Sequence, residues 1–458
     1  MPKLKTTLLQ SWQKVNEAWR YAIVAFILLR LLYTLWSWAI FTFQPLAVQN
    51  FEFAGEPILS IFNLKDSQAY TYLREVNGEI LTFTPAGTEH LTDRETGSVW
   101  DISTGMAIQG KYKGTVLRPS KTPPSRLFPY HGVAPYPGIW LSVWQRFDAN
   151  WYISIAENGY GQIPGDIHFP PLFPLLIRTL QPVFGSSFLA GLFLSHLAAL
   201  FALKFLYELF LGWGEPNTGR RAFLFFVVYP AVFFLFSAYS EPLFLAAALL
   251  AFKAMHKRSW HWAGFWIFCA FLIRLQGVAL LAPMLFLMRQ DRPFLRRLSH
   301  WAGLLVAASG GLLYLYLRSI SAKDTLPLVE TDLHARLVFP WQSYAYAVHA
   351  LFSGSAAFID FLNWAITTLF LILLVAGWKK IPLEYNLFTA VSLAILLSRM
   401  VETQPLVSMS RYALTLFPSF YILSVTGKGP LSRRVIIYLS ILLNLYLSGQ
   451  FFLWGWVA

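Results

Sequence analysis

The sequence contains one cysteine, Cys269, inside an apolar run, so no disulfide can form within the chain and cysteine usage says nothing about redox compartment. Charge is scarce as well. Only 13% of the 458 residues are Asp, Glu, Lys or Arg, whereas soluble domains carry about 25%. No Walker loop, H-E-x-x-H, C-x-x-C or G-x-S-x-G elbow is present, which disfavours an ATP-driven pump, a zinc protease and a serine hydrolase. No metal-ligand cluster is visible, so neither a metal nor a cofactor is expected. Matching halves with interrupted helices, common in transporters, are also missing.

What the chain does have is apolar length. Hydrophobic residues make up 56% of it, in repeated long runs. That composition describes an all-α polytopic membrane protein, and the first span, 21–43, reads as an uncleaved anchor with its N-terminus in the cytoplasm. Arg30 inside this span faces either a bundle interior, held by a neighbouring helix, or a watery cavity. The net charge of +13 (36 basic, 23 acidic residues) is concentrated where apolar runs end, the pattern of cytoplasmic loops rather than of nucleic-acid binding. The loops at Arg220-Arg221, Lys253 to Arg258, Arg289 to Arg297, Lys379-Lys380 and Lys428 to Arg434 are all placed inside. Ten further spans, near 187–210, 222–239, 241–255, 260–273, 277–290, 298–318, 359–378, 384–400, 411–427 and 434–456, then alternate to give about eleven crossings. Several are short, and 222–255 and 260–290 read alternatively as single tilted helices.

Three regions follow: 1–50 with the first span, 51–138, and a membrane domain 139–458. Residues 44–139 are polar and strand-like. Asn77-Gly78, between AYTYLREV and EILTFTP, predicts a type I′ hairpin, and a proline-rich linker (Pro119, Pro123, Pro124, Pro129, Pro135, Pro137) closes the segment. A small β-rich insert on the outer face is expected. DRETGSVWDISTGMAIQGKYKGTVL resembles a bacterial domain of unknown function, over residues 60–118, and that likeness implies no activity.

The richest stretch is 145–178, QRFDANWYISIAENGYGQIPGDIHFPPLFPLLIR. If 139–158 is helical, Trp140, Trp144, Phe147, Trp151 and Ile155 share one face, as in an interfacial helix. The topology keeps 169–181 outside as a re-entrant or interfacial segment. It also gathers four polar features on that outer face: 148–168, Tyr239-Ser240-Glu241, Arg274 to Gly277, and Ser408 to Tyr412. The loop 321–346, with Lys323, Asp324, Glu330, Asp332, His334 and Arg336, joins them. An acid in apolar surroundings suits a general base, and arginine's planar fork suits a phosphate. Together they fit transfer of a group from a lipid phosphate to an acceptor hydroxyl.

The string RFDANWYISIAENGYG…HFPPLFPLLIR resembles the hallmark of the PIG-V mannosyltransferase family and its bacterial relatives. FSAYSEPLFL, IRLQGVALLAPM and SMSRYALTLFP are similar to three further family blocks, in order. The resemblance implies a GT-C glycosyltransferase architecture. Such an enzyme takes a sugar from a polyprenyl-phosphate carrier at the extracytoplasmic face, with inversion the usual outcome. It carries the essential acid of the first outer loop onto Asp148, here preceded by Phe147 where the family often has Trp. Arg274 and Arg411 become candidates for the phosphate, or else snorkelling helix caps. Tyr412 belongs to the same block as Arg411. Glu241 either orients the sugar or pairs with Arg274; Glu157 is a site candidate or a solvated helix end; His168 donates to phosphate or is structural. Tyr152 and Tyr160 are expected to pack at the interface.

The expected protein is a multi-pass membrane transferase, in a bacterial inner membrane, moving a hexose such as mannose to a lipid, glycan or protein acceptor. A polytopic lipid or sugar transporter is the alternative, and a scaffold presenting the β-rich insert is a third.

Overall fold

The computed structural model describes residues 15–43, 46–53, 55–63, 68–120, 133, 136, 139–161, 165–291, 297–321, 335–354, 356–401 and 404–457. The linker prolines from Pro123 to Pro137, the N-terminal Lys3, Lys5 and Lys14, Arg292 and Arg296, and Lys323 to His334 lie outside them. The chain forms two compact units: Met1–Arg30 with Ile155–Leu445 and Ala458, and Leu31–Ser154 with Tyr446–Val457.

In the first unit, helices form wherever apolar residues surround the axis and a stop signal ends them. Gly185 (φ 66°) closes Leu172–Phe184 in the left-handed region, and the Ser186 hydroxyl accepts the Leu189 N–H at 3.4 Å to open Ser187–Gly212. Small residues set the packing. The helices Trp260–Ile273 and Leu298–Ser321 meet backbone to backbone at Gly264 and Gly303, where a Cβ on either glycine would overlap the other helix.

Among the described residues, five helices are long and apolar enough to cross a membrane: Glu17–Thr42, Ser187–Gly212, Leu298–Ser319, Phe358–Gly377 and Pro430–Phe452. The chain is thus mostly helical, with small sheets, as a helical membrane protein should be. The eleven expected crossings are not all of this kind. Leu172–Phe184, Trp260–Ile273, Leu275–Gln290 and Leu383–Leu397 are apolar but short. The stretch 222–239 is broken between Pro216–Val227 and the 3-10 turn Val232–Phe236, and 411–427 is broken between Met409–Tyr412 and Pro418–Thr426. Neither pair is one long helix, since the chain leaves helical geometry at 228–231 and at Arg274.

Side chains tie the basic loops of this unit to one end. Arg220 Nη2 lies 2.9 Å from Glu17, Arg221 donates to the Ser424 carbonyl at 2.9 Å, and Trp213 packs on Tyr385 and Tyr421. His256 Nε2 is 2.9 Å from the Tyr385 hydroxyl. Asp291 gathers Arg258, Arg297, Trp260 and His300. Arg30 is half-buried, and the His196 ring packs on Phe26 and Phe236.

The second unit carries the β structure. Leu46–Phe53, Glu56–Asn63 and Gln68–Leu73 form an antiparallel three-stranded sheet with Leu59 opposite Tyr72. Phe83–Ala86, His90–Asp93, Val99–Asp101 and Ala107–Gln109 form a four-stranded meander. Strands begin at Leu46, ahead of residue 51. Asn77 (φ 51°) and Gly78 (φ 82°) turn Glu75–Val76 onto Glu79–Ile80, as the type I′ signal requires. Leu59, Ile61, Tyr72, Leu81, Phe83, Leu91, Trp100 and Leu117 share one core.

The D-R-x-T-G-S-x-W signature has a structural explanation. Asp93 accepts the Thr96 N–H at 2.6 Å, its hydroxyl at 2.7 Å and the Trp100 indole N–H at 2.8 Å. Eight residues on, Asp101 repeats the turn with Ser103 and Thr104. Gly97 and Gly105 take the left-handed position each turn needs (φ 69° and 68°).

Candidate functional site

Three of the four polar blocks singled out in the sequence converge in the first unit. Glu241 opens the helix Glu241–His256, where a carboxylate is favoured by the helix dipole. The preceding Tyr239 is pinned by Ser195, whose hydroxyl donates to the Tyr239 carbonyl at 2.8 Å. Arg274 leaves the helix Trp260–Ile273 in an extended conformation (φ −153°) and starts a 3-10 turn closed by the Gly277 N–H to its carbonyl at 2.8 Å. A Cβ on Gly277 would overlap the Ala270 and Phe271 backbone, so R-x-x-G spacing follows from the tight return of the chain. Arg411 follows Ser408 at φ 65°, and its segment is fixed by Asn363, which accepts the Ser410 N–H at 2.9 Å, and Tyr229, which donates to the Ser410 carbonyl at 2.7 Å.

Glu241 meets both arginines. Arg274 Nη1 lies 2.7 Å and Arg411 Nε 3.3 Å from its Oε1. Glu241 is 1% exposed and Arg411 5%. The Arg274 guanidinium stands 4.9 Å over the Tyr412 ring, and Arg411 lies 5.0–5.5 Å from the rings of Tyr412, Tyr239 and Phe234. Arg274 also donates to the Ser240 hydroxyl at 3.3 Å. Two guanidiniums thus meet one carboxylate among aromatic faces. Planar guanidinium forks held side by side suit a phosphate. Of the two roles considered for Glu241, the geometry provides ion pairing.

Asp148 belongs to the second unit. The expected continuous helix over 139–158 is instead two, Ile139–Ser142 and Asp148–Asn158, separated by a turn in which Phe147 adopts φ 45°. A non-glycine residue in that region needs outside support. Phe147 has it from the rings of Phe451, Trp454 and Trp456, at 5.3–5.8 Å. Trp144 and Phe147 are therefore buried rather than laid on a membrane surface, while Trp140 is exposed. Asp148 is half-buried at the first helical position. Its neighbour Arg146, which the sequence reading did not single out, is fully buried: it donates to the Ser142 and Phe452 carbonyls at 2.6 and 3.2 Å and stacks 4.4 Å over Trp454.

Glu157 is exposed in the last turn of its helix. His168 ends the Asp166–His168 turn, and its charged neighbours are Arg399 and Arg318; burial first, then those two charges, hold its imidazole down at about 4, so it is neutral near pH 7. Tyr160 donates to the Phe169 carbonyl at 2.6 Å, and Tyr152 is buried. Among the described residues no three His, Cys, Asp or Glu side chains gather as a metal site would need.

Residues 122–295, less than half of the chain, match the model of the mannosyltransferase (PIG-V) family. The matched segment includes Asp148, Glu157, His168, Glu241 and Arg274, and it excludes Arg411, Tyr412 and the strands before residue 120. No curated protein and no solved structure matches the chain.

Proposed function

We propose that this chain, supported by its family match as a glycosyltransferase of the PIG-V-like mannosyltransferase kind, moves a hexose from a polyprenyl-phosphate carrier to an acceptor hydroxyl. Mannose is the first sugar to test. In this reading it works in a bacterial inner membrane, on the extracytoplasmic face. The observation that carries the reading is the group of Glu241, Arg274, Arg411 and Tyr412, in which two guanidinium forks stand on one carboxylate. Arg274 and Arg411 hold the donor phosphate there, while Glu241 keeps both guanidiniums in place.

Asp148 is the base. It takes the proton of the acceptor hydroxyl as that oxygen forms the new bond to the sugar C1. The bond from C1 to the phosphate oxygen breaks, and polyprenyl phosphate leaves with the electron pair, charge that two arginine forks stabilise as it develops. Attack opposite the leaving phosphate inverts the anomeric centre. The acceptor is a lipid, glycan or protein hydroxyl.

The test supplies labelled polyprenyl-phosphate mannose and glucose to membranes holding wild type or Asp148→Asn at matched expression. Labelled product from wild type alone is the expected result. Equal product from both would remove Asp148 as base. Uptake of the lipid-linked sugar without any transfer would replace the enzyme with a transporter.

A further inference from the structure

A second cationic group lies in the first unit, apart from Glu241. The turn Asp166–His168 faces the end of the helix Leu298–Ser321, forming a cleft lined by Tyr160, Ile167, Phe169, Tyr314, Leu317 and Arg318. The Tyr314 hydroxyl donates to the Ile167 carbonyl at 3.4 Å, and Arg318, one helical turn on, lines the same cleft. Arg399, on the strand Arg399–Val401, acts electrostatically on both His168 and Tyr314. Among the described residues neither Arg318 nor Arg399 pairs with a carboxylate. The nearby Asp166 accepts the Gly161 N–H at 2.7 Å instead. With His168 neutral, the cleft presents two positive charges without a carboxylate partner among the described residues, beside an apolar wall.

The same helix exposes Leu312, Leu315 and Tyr316 on its outer side, which places lipid beside the cleft. Tyr314 also packs edge-on against Phe271, 6.0 Å away and one turn before Arg274, so this cleft neighbours the Glu241 group without sharing its residues.

We propose that this cleft binds the phosphate of an anionic bilayer lipid, with Arg318 and Arg399 as the charge clamp and Tyr160, Phe169 and Leu317 against the glycerol and first methylenes. A soluble phosphate would use the charges and leave the apolar wall empty; a lipid uses both. The inference stands independently of the transfer reaction proposed above.

The test titrates phosphatidylglycerol into the delipidated, detergent-solubilised full chain and counts bound lipid by native mass spectrometry. At about 1 kcal/mol per cation near a lipid surface, Arg318→Gln with Arg399→Gln is expected to weaken binding by on the order of tenfold or more. Arg178→Gln, which removes an exposed charge on the helix Leu172–Phe184, is expected to leave binding unchanged. Arg399→Gln alone changes an exposed strand residue and covers the case in which the double variant misfolds. Equal binding by wild type and Arg399→Gln, or equal loss in Arg178→Gln, would overturn the site. Displacement of the lipid by inorganic phosphate at the same concentration would overturn the lipid as its occupant.

Discussion

Arg274 and Glu241 form an ion pair at 2.7 Å that joins the start of one helix to the end of the next, and Arg411 completes it from a third segment. Removing one partner of a buried pair leaves an uncompensated charge, at a cost of about 3–5 kcal/mol. Glu241→Gln is therefore expected to lower the thermal midpoint of the detergent-solubilised chain well beyond what an exposed change such as Glu157→Gln does. A midpoint within a degree of wild type would show that the guanidiniums need no carboxylate.

The arginines carry a different expectation. Arg274→Lys keeps the charge but loses the fork, and Arg274→Ala and Arg411→Ala lose both. Each alanine variant is expected to raise the KM for the lipid-phosphate donor by about tenfold to a hundredfold, while the acceptor KM moves little. Steady-state kinetics with each substrate varied separately decides it. A change confined to the acceptor would take both residues out of donor binding.

Acid sensitivity should appear in the β structure. Burial pushes the Asp93 carboxyl up, but the Trp100 indole, the Thr96 hydroxyl and the backbone N–H groups outweigh it and hold the group below its ordinary value of 3.8. A carboxylate depressed in the folded state adds stability above its unfolded pKa, and that stability is lost as pH falls through the folded value. Hydrogen-exchange protection at Val99–Asp101, corrected for intrinsic rates, is expected to hold from pH 7 to 5 and to fall below about 4. Asp93→Asn should remove about 1.5–3 kcal/mol of that protection at neutral pH.

Topology offers another check. The loops at Arg220, Arg258, Asp291 and Glu384 meet through side chains at one end of the first unit. Reporter fusions in the loops at Gly219 and Lys379 should therefore report the same side of the membrane. Opposite sides would be incompatible with the packing of Trp213 on Tyr385.

The parts legible in the sequence were those set by local chemistry. Asn77-Gly78 forced its hairpin because both positions need positive φ. The Y-S-E, R-x-x-G and R-Y blocks meet because Glu241 opens one helix, Arg274 closes the next and Arg411 reaches them from a third segment. The break at Phe147 was hidden, since the rings that hold it arrive some three hundred residues later in the chain. Arg146 went unnoticed for the same reason: its partners, Phe452 and Trp454, lie near the far end. Apolar content marks a short helix and a full-length span alike; Trp260–Ile273 has 14 residues, Ser187–Gly212 has 26. No sequence motif marks Asp291, which accepts from Arg258, Trp260 and Arg297 and contacts His300.

The helix Glu241–His256 begins at the paired arginines and ends at the Tyr385 contact, so both of its ends are clamped. Each residue in it advances the axis by about 1.5 Å and turns it by about 100°. Inserting or deleting one residue between those clamps would swing the Glu241 carboxylate off both guanidiniums. That stretch of chain should vary in composition without ever varying in length.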